Sequence, residues 1–256
     1  MKPEAGQALE RYLPLLIDGD TPASMADLSP DALICDPLAG FIPGPILYSF
    51  LAARHMWLSA REARVEAVRT VANPGRVVVE QVLHLVVGGK PIPLPIALVG
   101  DLGDGDRLAQ VRVYHSTYPL TGRHALRGPL LVPDEAIQLA PPVRGYHDAL
   151  GQGQIERILA TFAEDAVVRE PSGGPHVHVG PDGRRAFYAK ILATGGIELQ
   201  HCTVTDDGAA CALEYNCVRW GDRILPAQSG VAVYERATPA ALRAARIYDD
   251  VDATAG

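Results

Sequence analysis

The chain repeats itself, and this repeat limits its fold more than any other feature. Moving the sequence by 134 residues lays Tyr12 on Tyr146, Leu16 on Leu150, Gly19 on Gly153 and Pro37 on Pro171. The same step lays Asp31-Ala32 on Asp165-Ala166, Glu80 on Glu214, and Arg112 and Tyr114 on Arg246 and Tyr248. Each copy is the size of an ordinary small domain. Leu9 to Ile17 and Val143 to Leu150 carry apolar residues at helical spacing, and Gly19 and Gly153 suit their stops. Ile155 to Phe162 reads as a second amphipathic helix, and Ala186 to Leu192 as a third, matched by Ile46 to Trp57.

Strand-like runs follow the helices in both halves. They are Val65–Val71, Arg76–Val87, Ile96–Val99 and Leu108–Tyr114, then Leu199–Thr205, Ala210–Val218, Val231–Tyr234 and Ala244–Tyr248. Asn73-Pro74-Gly75 and Asp206-Asp207-Gly208 are turn signals between strands. Pro91, Pro93 and Pro95 are expected to distort a strand, because proline donates nothing to a ladder. Helices first and antiparallel strands afterwards predict an α+β fold. The expected division is a first domain over 1–121, a linker over 122–142 and a second domain over 143–256.

Composition narrows the partners. Of 256 residues, 48% are apolar and 21% charged, which is enough to bury a core in each half. A net charge of −7 and the lack of any basic run argue against a nucleic-acid partner. Cys35, Cys202, Cys211 and Cys217 fall outside any CxxC spacing and read as reduced core thiols. The N-terminus lacks a signal-peptide pattern, and no apolar stretch approaches the roughly 20 residues of a membrane span. These features predict a cytoplasmic protein without a membrane partner.

Both halves also share an acid-Pro pair at the end of an apolar run, Asp36-Pro37 and Glu170-Pro171. Around it lie VRGYHDALGQGQIERILATFAEDAVVREP (Val143–Pro171), Gly180-Pro181 before Phe187-Tyr188, and the tail RIYDD (Arg246–Asp250). In this order the second half resembles the ketosteroid isomerases and SnoaL-type cyclases of the NTF2-like superfamily over nearly its whole length. The first half carries the frame more loosely, in LSPDALICDP (Leu28–Pro37) and RVYH (Arg112–His115). The resemblance implies two tandem NTF2-like cone domains. Each would be a curved, mostly antiparallel sheet wrapped by about three helices around an apolar pocket. Members of this superfamily commonly pair through their sheets, which implies an intrachain pseudo-dimer with room for a further homodimer. The superfamily spans isomerases, cyclases, epoxide hydrolases, dehydratases and binding proteins, so fold alone leaves the activity open.

The resemblance also implies roles. At the positions of Asp36 and Glu170 the family's acid abstracts a proton beside a carbonyl, and burial in an apolar pocket raises a carboxyl pKa. Tyr12 and Tyr146 stand where the isomerases donate a hydrogen bond to an oxyanion. The family's second, protonated acid has no counterpart near Ile96-Ala97 or Ser229-Gly230. Strand alternation offers replacements. If Cys202 faces the pocket, so do Glu198 and Gln200, and Glu66 takes the matching place in the first half. Val113 shares a face with His115, and Ile247 with Asp249. One pocket would then hold Asp36, Glu66 and His115, and the other Glu170, Glu198 and Asp249. Trp57, Tyr215 and Trp220 are candidate substrate-binding residues.

No cofactor or metal is expected. His176-x-His178 lacks a third ligand nearby, and Gly103–Asp106 is a hairpin turn with no helix after it. The layout is nearest to polyether-type epoxide-opening cyclases. It predicts a cofactor-independent acid–base enzyme cyclising a hydrophobic polyketide-type metabolite. A carbon–carbon double-bond isomerase and a non-catalytic small-molecule-binding or scaffold protein are the alternatives. Substrate, stereochemistry and the choice of working pocket stay open at this level.

Overall fold

A computed structural model describes residues 3–171 and 176–253. The chain divides into two compact units, residues 1–123 and 124–256. Among the described residues no helix is long and apolar enough to cross a membrane.

Unit 1 opens with helices α1 (Pro3–Glu10), α2 (Tyr12–Asp18) and α3 (Thr21–Ala26), then strands β1 (Leu28–Asp36) and β2 (Gly40–Pro43). Helix α4 (Leu47–Ser59) precedes β3 (Arg64–Asn73), β4 (Arg76–Val87), β5 (Lys90–Leu102) and β6 (Leu108–Tyr114), with short α5 (Tyr118–Thr121) last. The sheet order is β2-β1-β6-β5-β4-β3, and only β1 and β6 run parallel. Tyr12, Leu13 and Leu16 bury one face of α2. They join Leu47, Leu51 and Leu58 of α4 and alternate residues of the sheet, Val77, Val79, Leu83, Ile96, Leu98 and Val113, in one core. Helix α2 stops at Gly19, whose φ of +77° suits glycine. A Cβ there would meet the His55 ring at 2.9 Å, and that ring donates from Nδ1 to the Leu16 carbonyl at 3.1 Å.

Unit 2 repeats the plan with α6 (Pro141–Gly151), α7 (Ile155–Leu159), β7 (Phe162–Arg169), β8 (Val177–Val179) and α8 (Gly180–Ile191). Strands β9 (Ile197–Asp206), β10 (Ala210–Trp220), β11 (Arg223–Thr238) and β12 (Ala241–Asp249) complete it in the order β8-β7-β12-β11-β10-β9. The repeat carries through to strand register. Gln81 pairs with Ile96 and Leu98 with Val113, and 134 residues further Tyr215 pairs with Gly230 and Ala232 with Ile247. Two six-stranded, mostly antiparallel sheets with helices against them make two tandem α+β domains of one topology. Residues before α6 lie along the second sheet: Ser229 N donates to Arg127 O (2.9 Å) and Asn216 Nδ2 to Leu131 O (3.1 Å).

Two expectations change. Helix α7 ends at Leu159, and Phe162 starts β7, where its ring packs into the core. The three prolines do not break β5. Pairing of β5 with β6 begins only at Ala97, so residues 90–96 have one free edge where proline removes no ladder bond.

Candidate functional site

In unit 1 a small pocket of about 30 Å³ lies between α2, α4 and the sheet. Leu13, Leu16, Leu58, Leu83, Leu94 and Ile96 make most of its wall, and Tyr12, Asp36, Arg54, Trp57 and His115 add the polar and aromatic groups. Asp36 ends β1 and is only 5% exposed. Its Oδ1 accepts from the backbone N–H of Leu38 (2.8 Å) and Ala39 (2.9 Å), and its Oδ2 accepts from Arg54 Nη2. Burial alone would raise its pKa. The Arg54 charge and hydrogen bond, the Leu38 N–H and the nearby His115 outweigh it and hold Asp36 below the usual carboxylate range. The expected upward shift is thus reversed, because a guanidinium sits on the carboxylate.

Arg54 escaped the sequence reading. Asp36 is the only hydrogen-bond partner of its guanidinium among the described residues, and the rings of Phe50 and Trp57 lie 5.6 and 5.3 Å away. Several N–H donors therefore remain to face the pocket. Burial, then the charge of Asp36, push the Tyr12 phenol well above its usual range, so it stays a proton donor. His115 is buried, and its Nδ1 lies 3.0 Å from the Ser116 carbonyl. A carbonyl only accepts, so Nδ1 carries a proton.

In unit 2 the same register gives other groups. Asp249 stands at the place of His115 and keeps part of its surface open. Tyr215 Oη donates to its Oδ2 at 2.6 Å, yet burial dominates and pushes its pKa up to about 6. Gly230 lies between them in register; a Cβ there would meet Asp249 Cβ at 2.7 Å and the Tyr215 ring at 2.8 Å. Tyr146 accepts from the Tyr188 hydroxyl at 3.1 Å and packs edge-on against Phe162, and burial raises its pKa to about 12. Glu170 is 26% exposed and accepts from His178 Nε2 at 2.7 Å. Trp220 Nε1 donates to the Ile191 carbonyl (3.1 Å), which ties it to the end of α8.

Glu66 and Glu198 do not join these groups. Glu66 is 63% exposed and meets His84 at 3.0 Å, on the face opposite the core residues Val79 and Leu83. Glu198 is 55% exposed and accepts from Arg219 Nε at 3.0 Å. Side chains do not alternate evenly here because each strand carries a bulge, between Ala67 and Arg69 in β3 and at Cys202 in β9. A bulge resets which residues face inward. Cys202 therefore turns to the Leu131 carbonyl (3.8 Å), and His201 and Leu199 take the inner places. Glu80 and Glu214 lie buried on the face away from the helices, as alternation predicts for the straight strands β4 and β10 there. Among the described residues no group of three or more His, Cys, Asp or Glu is arranged to hold a metal.

The SnoaL-like domain family matches residues 143–245. No curated protein matches the sequence. One similar solved structure is an LEH-like epoxide hydrolase from M. tuberculosis, with 22% identity and a TM-score of 0.39, covering 46% of this chain and 87% of its own. Another is SalBIII, an epoxide hydrolase/cyclase-like enzyme of pyran ring formation in the polyether salinomycin, with 15% identity and a TM-score of 0.37. It covers 43% of this chain and 88% of its own. The family match falls within unit 2, and unit 1 repeats the strand order and register of that unit.

Proposed function

We propose that this protein is a cofactor-independent acid–base enzyme that closes a ring in a hydrophobic polyketide-type molecule, by epoxide opening or a related cyclisation, in the pocket of unit 1. The observation that supports it is the polar end of an otherwise apolar pocket, where the Asp36–Arg54 pair, His115 and Tyr12 converge. A base and two kinds of donor around one cavity suit a reaction that takes a proton at one atom and gives one at another.

In this reading His115 Nε2 takes the proton of a substrate hydroxyl. The freed oxygen attacks an epoxide carbon, the C–O bond breaks, and its electron pair goes to the epoxide oxygen. Arg54 donates to that oxygen and Tyr12 protonates it; the proton on His115 then restores Tyr12, so the product is an isomer of the substrate. Asp36, with both oxygens engaged, is a poor base. It keeps Arg54 in place and stabilises the imidazolium. A double-bond isomerase is less well supported, since Ile96 puts an aliphatic side chain into the pocket from the strand where the resembling isomerases carry their second acid.

The test uses a panel of long-chain hydroxy-epoxides, with ring products separated by chromatography and identified by mass spectrometry. His115→Gln is expected to lower turnover by about 10²–10⁴-fold. Unchanged turnover in His115→Gln and Asp36→Asn together would overturn the assignment. Saturable binding of the panel without turnover by the native protein would favour the binding-protein reading.

A further inference from the structure

The edge of the second sheet holds two histidines that the chemistry of the first pocket leaves unused. His178 lies in β8 and His176 just before it, two residues apart, so both side chains leave the same face of the extended chain. Both turn to one atom. His178 Nε2 lies 2.7 Å, and His176 Nδ1 3.6 Å, from Glu170 Oε1. Glu170 follows β7, and its N–H donates to the His176 carbonyl at 3.0 Å, which holds the two chain segments side by side. The His178 ring stacks on Phe187 of α8, with centroids 4.4 Å apart and planes 19° apart.

Unit 1 builds the same edge without these imidazoles. There Ile34 pairs with Ile42 and Asp36 with Gly40, where unit 2 pairs Val168 with His178 and joins Glu170 to His176. Asp36 carries the fixed charge of Arg54 beside it. The residue 134 positions after Arg54 is Tyr188, whose hydroxyl bonds to Tyr146. Among the described residues no guanidinium reaches Glu170, and its ion-pair partners are the two imidazoles.

Two imidazoles and a carboxylate are a recurring donor set for zinc and its neighbours. Magnesium and calcium prefer oxygen alone, and Cu(I) prefers sulfur. Round a tetrahedral zinc, with bonds of about 2.0–2.1 Å, ligand atoms stand about 3.3–3.4 Å apart. The 3.6 Å contact is close to that spacing. The 2.7 Å contact is a hydrogen bond, so the three side chains are closed on one another and not yet set around an ion. Parting Glu170 and His178 by about 0.6 Å reaches the spacing. The proton between them leaves to solvent, and the ion takes its place. Glu170 and His178 are partly open and His176 is half-exposed, so an ion reaches all three.

We propose that Glu170, His176 and His178 bind one divalent ion of the zinc class at the edge of the second sheet, with its fourth position open to water. The ion supplies at Glu170 the positive charge that Arg54 supplies at Asp36. The site is independent of the reaction assigned to the first pocket.

The experiment is calorimetric titration of the chelator-treated full chain with zinc chloride, paired with visible absorption spectra of the same chain loaded with Co²⁺. One zinc per chain is expected, with cobalt bands of the intensity that four-coordinate sites give. His176→Ala and His178→Ala should each lower zinc affinity by more than about 100-fold, beyond the loss that follows removal of an outer-shell partner. Circular dichroism separates lost ligation from lost folding. His176→Ala changes a half-exposed side chain, so it reports on ligation even where His178→Ala unfolds. No saturable zinc binding, weak six-coordinate cobalt bands, or native affinity in a folded histidine variant would overturn the proposal. So would an equal loss from His84→Ala, which removes a histidine that meets the exposed Glu66 of unit 1.

Discussion

At Asp36 two effects oppose each other. Burial disfavours the charged carboxylate, while Arg54 and the Leu38 N–H favour it, and the second set prevails. Each partner is what makes the other tolerable in an apolar pocket. Arg54→Met removes the cation and leaves a buried carboxylate held only by backbone N–H groups. Breaking a buried pair in this way costs about 3–5 kcal/mol. The loss is expected at neutral pH in urea unfolding and should shrink toward pH ~4, where an unpaired carboxyl protonates. The double variant Arg54→Met with Asp36→Leu should recover most of the stability, since an apolar pair of similar volume replaces the ions. If the double variant is as unstable as Arg54→Met alone, packing around α4 rather than the ion pair explains the effect. Arg54 could not be read from the sequence because the repeat hides it: its equivalent is Tyr188, so no shared motif marks it. His178 was visible only as half of a weak metal pattern, and its carboxylate partner was assigned a separate role.

Whole elements were more legible than side-chain directions. The order of the helices and later strands and the common register follow from one repeat, whereas the parallel pairing of β1 with β6 and of β7 with β12 was not expected. Facing was legible only where strands stay regular. Val113 of β6 and His115 just past its end share the pocket wall as alternation requires, whereas in β3 and β9 a bulge moves Glu66 and Glu198 out. Bulges leave no mark in composition or periodicity, so the failure is confined to those two strands. Gly230 shows the reverse case, an element defined by a missing side chain. In unit 1 its equivalent Ile96 fills part of the pocket wall; in unit 2 Tyr215 and Asp249 close over the glycine. Gly230→Ala forces a methyl against both, and overpacking of this kind costs about 1–3 kcal/mol. A lower urea midpoint is expected, with a weakened Tyr215–Asp249 bond visible as altered tyrosine absorbance. A midpoint unchanged from the native protein would mean that this strand pair gives way freely.

For the molecule as a whole, the buried titratable groups predict how stability follows pH. His147 lies in the core of unit 2, its Nδ1 3.4 Å from His201 Nε2, and burial followed by the His201 charge hold its pKa well below the usual imidazole value. Burial also lowers His201. A histidine depressed in the folded state leaves the unfolded chain binding more protons below pH ~6.5, so stability falls as the pH falls. Asp249 acts in the opposite sense. Raised to about 6, it binds a proton in the folded state that the unfolded chain lacks above pH ~3.9, so it loses stabilising effect as pH rises through that window. On acidification below pH ~6.5 the two lowered histidines make unfolding take up protons, and Asp249 offsets part of this. Free energy of urea unfolding should then fall as the pH is lowered from ~7 to ~5. Below that range Asp36, Asp101 and Asp206, all held low by arginine partners, add to the loss in both units. Asp249→Asn removes the compensating carboxyl and keeps an acceptor for Tyr215, so it should steepen the fall and stabilise the protein most at neutral pH. His147→Phe removes the depressed imidazole from among Tyr146 and Tyr234 and should flatten it. A native protein equally stable at pH ~7 and ~5, or a His147→Phe variant with the native slope, would show that these buried groups do not set its acid sensitivity.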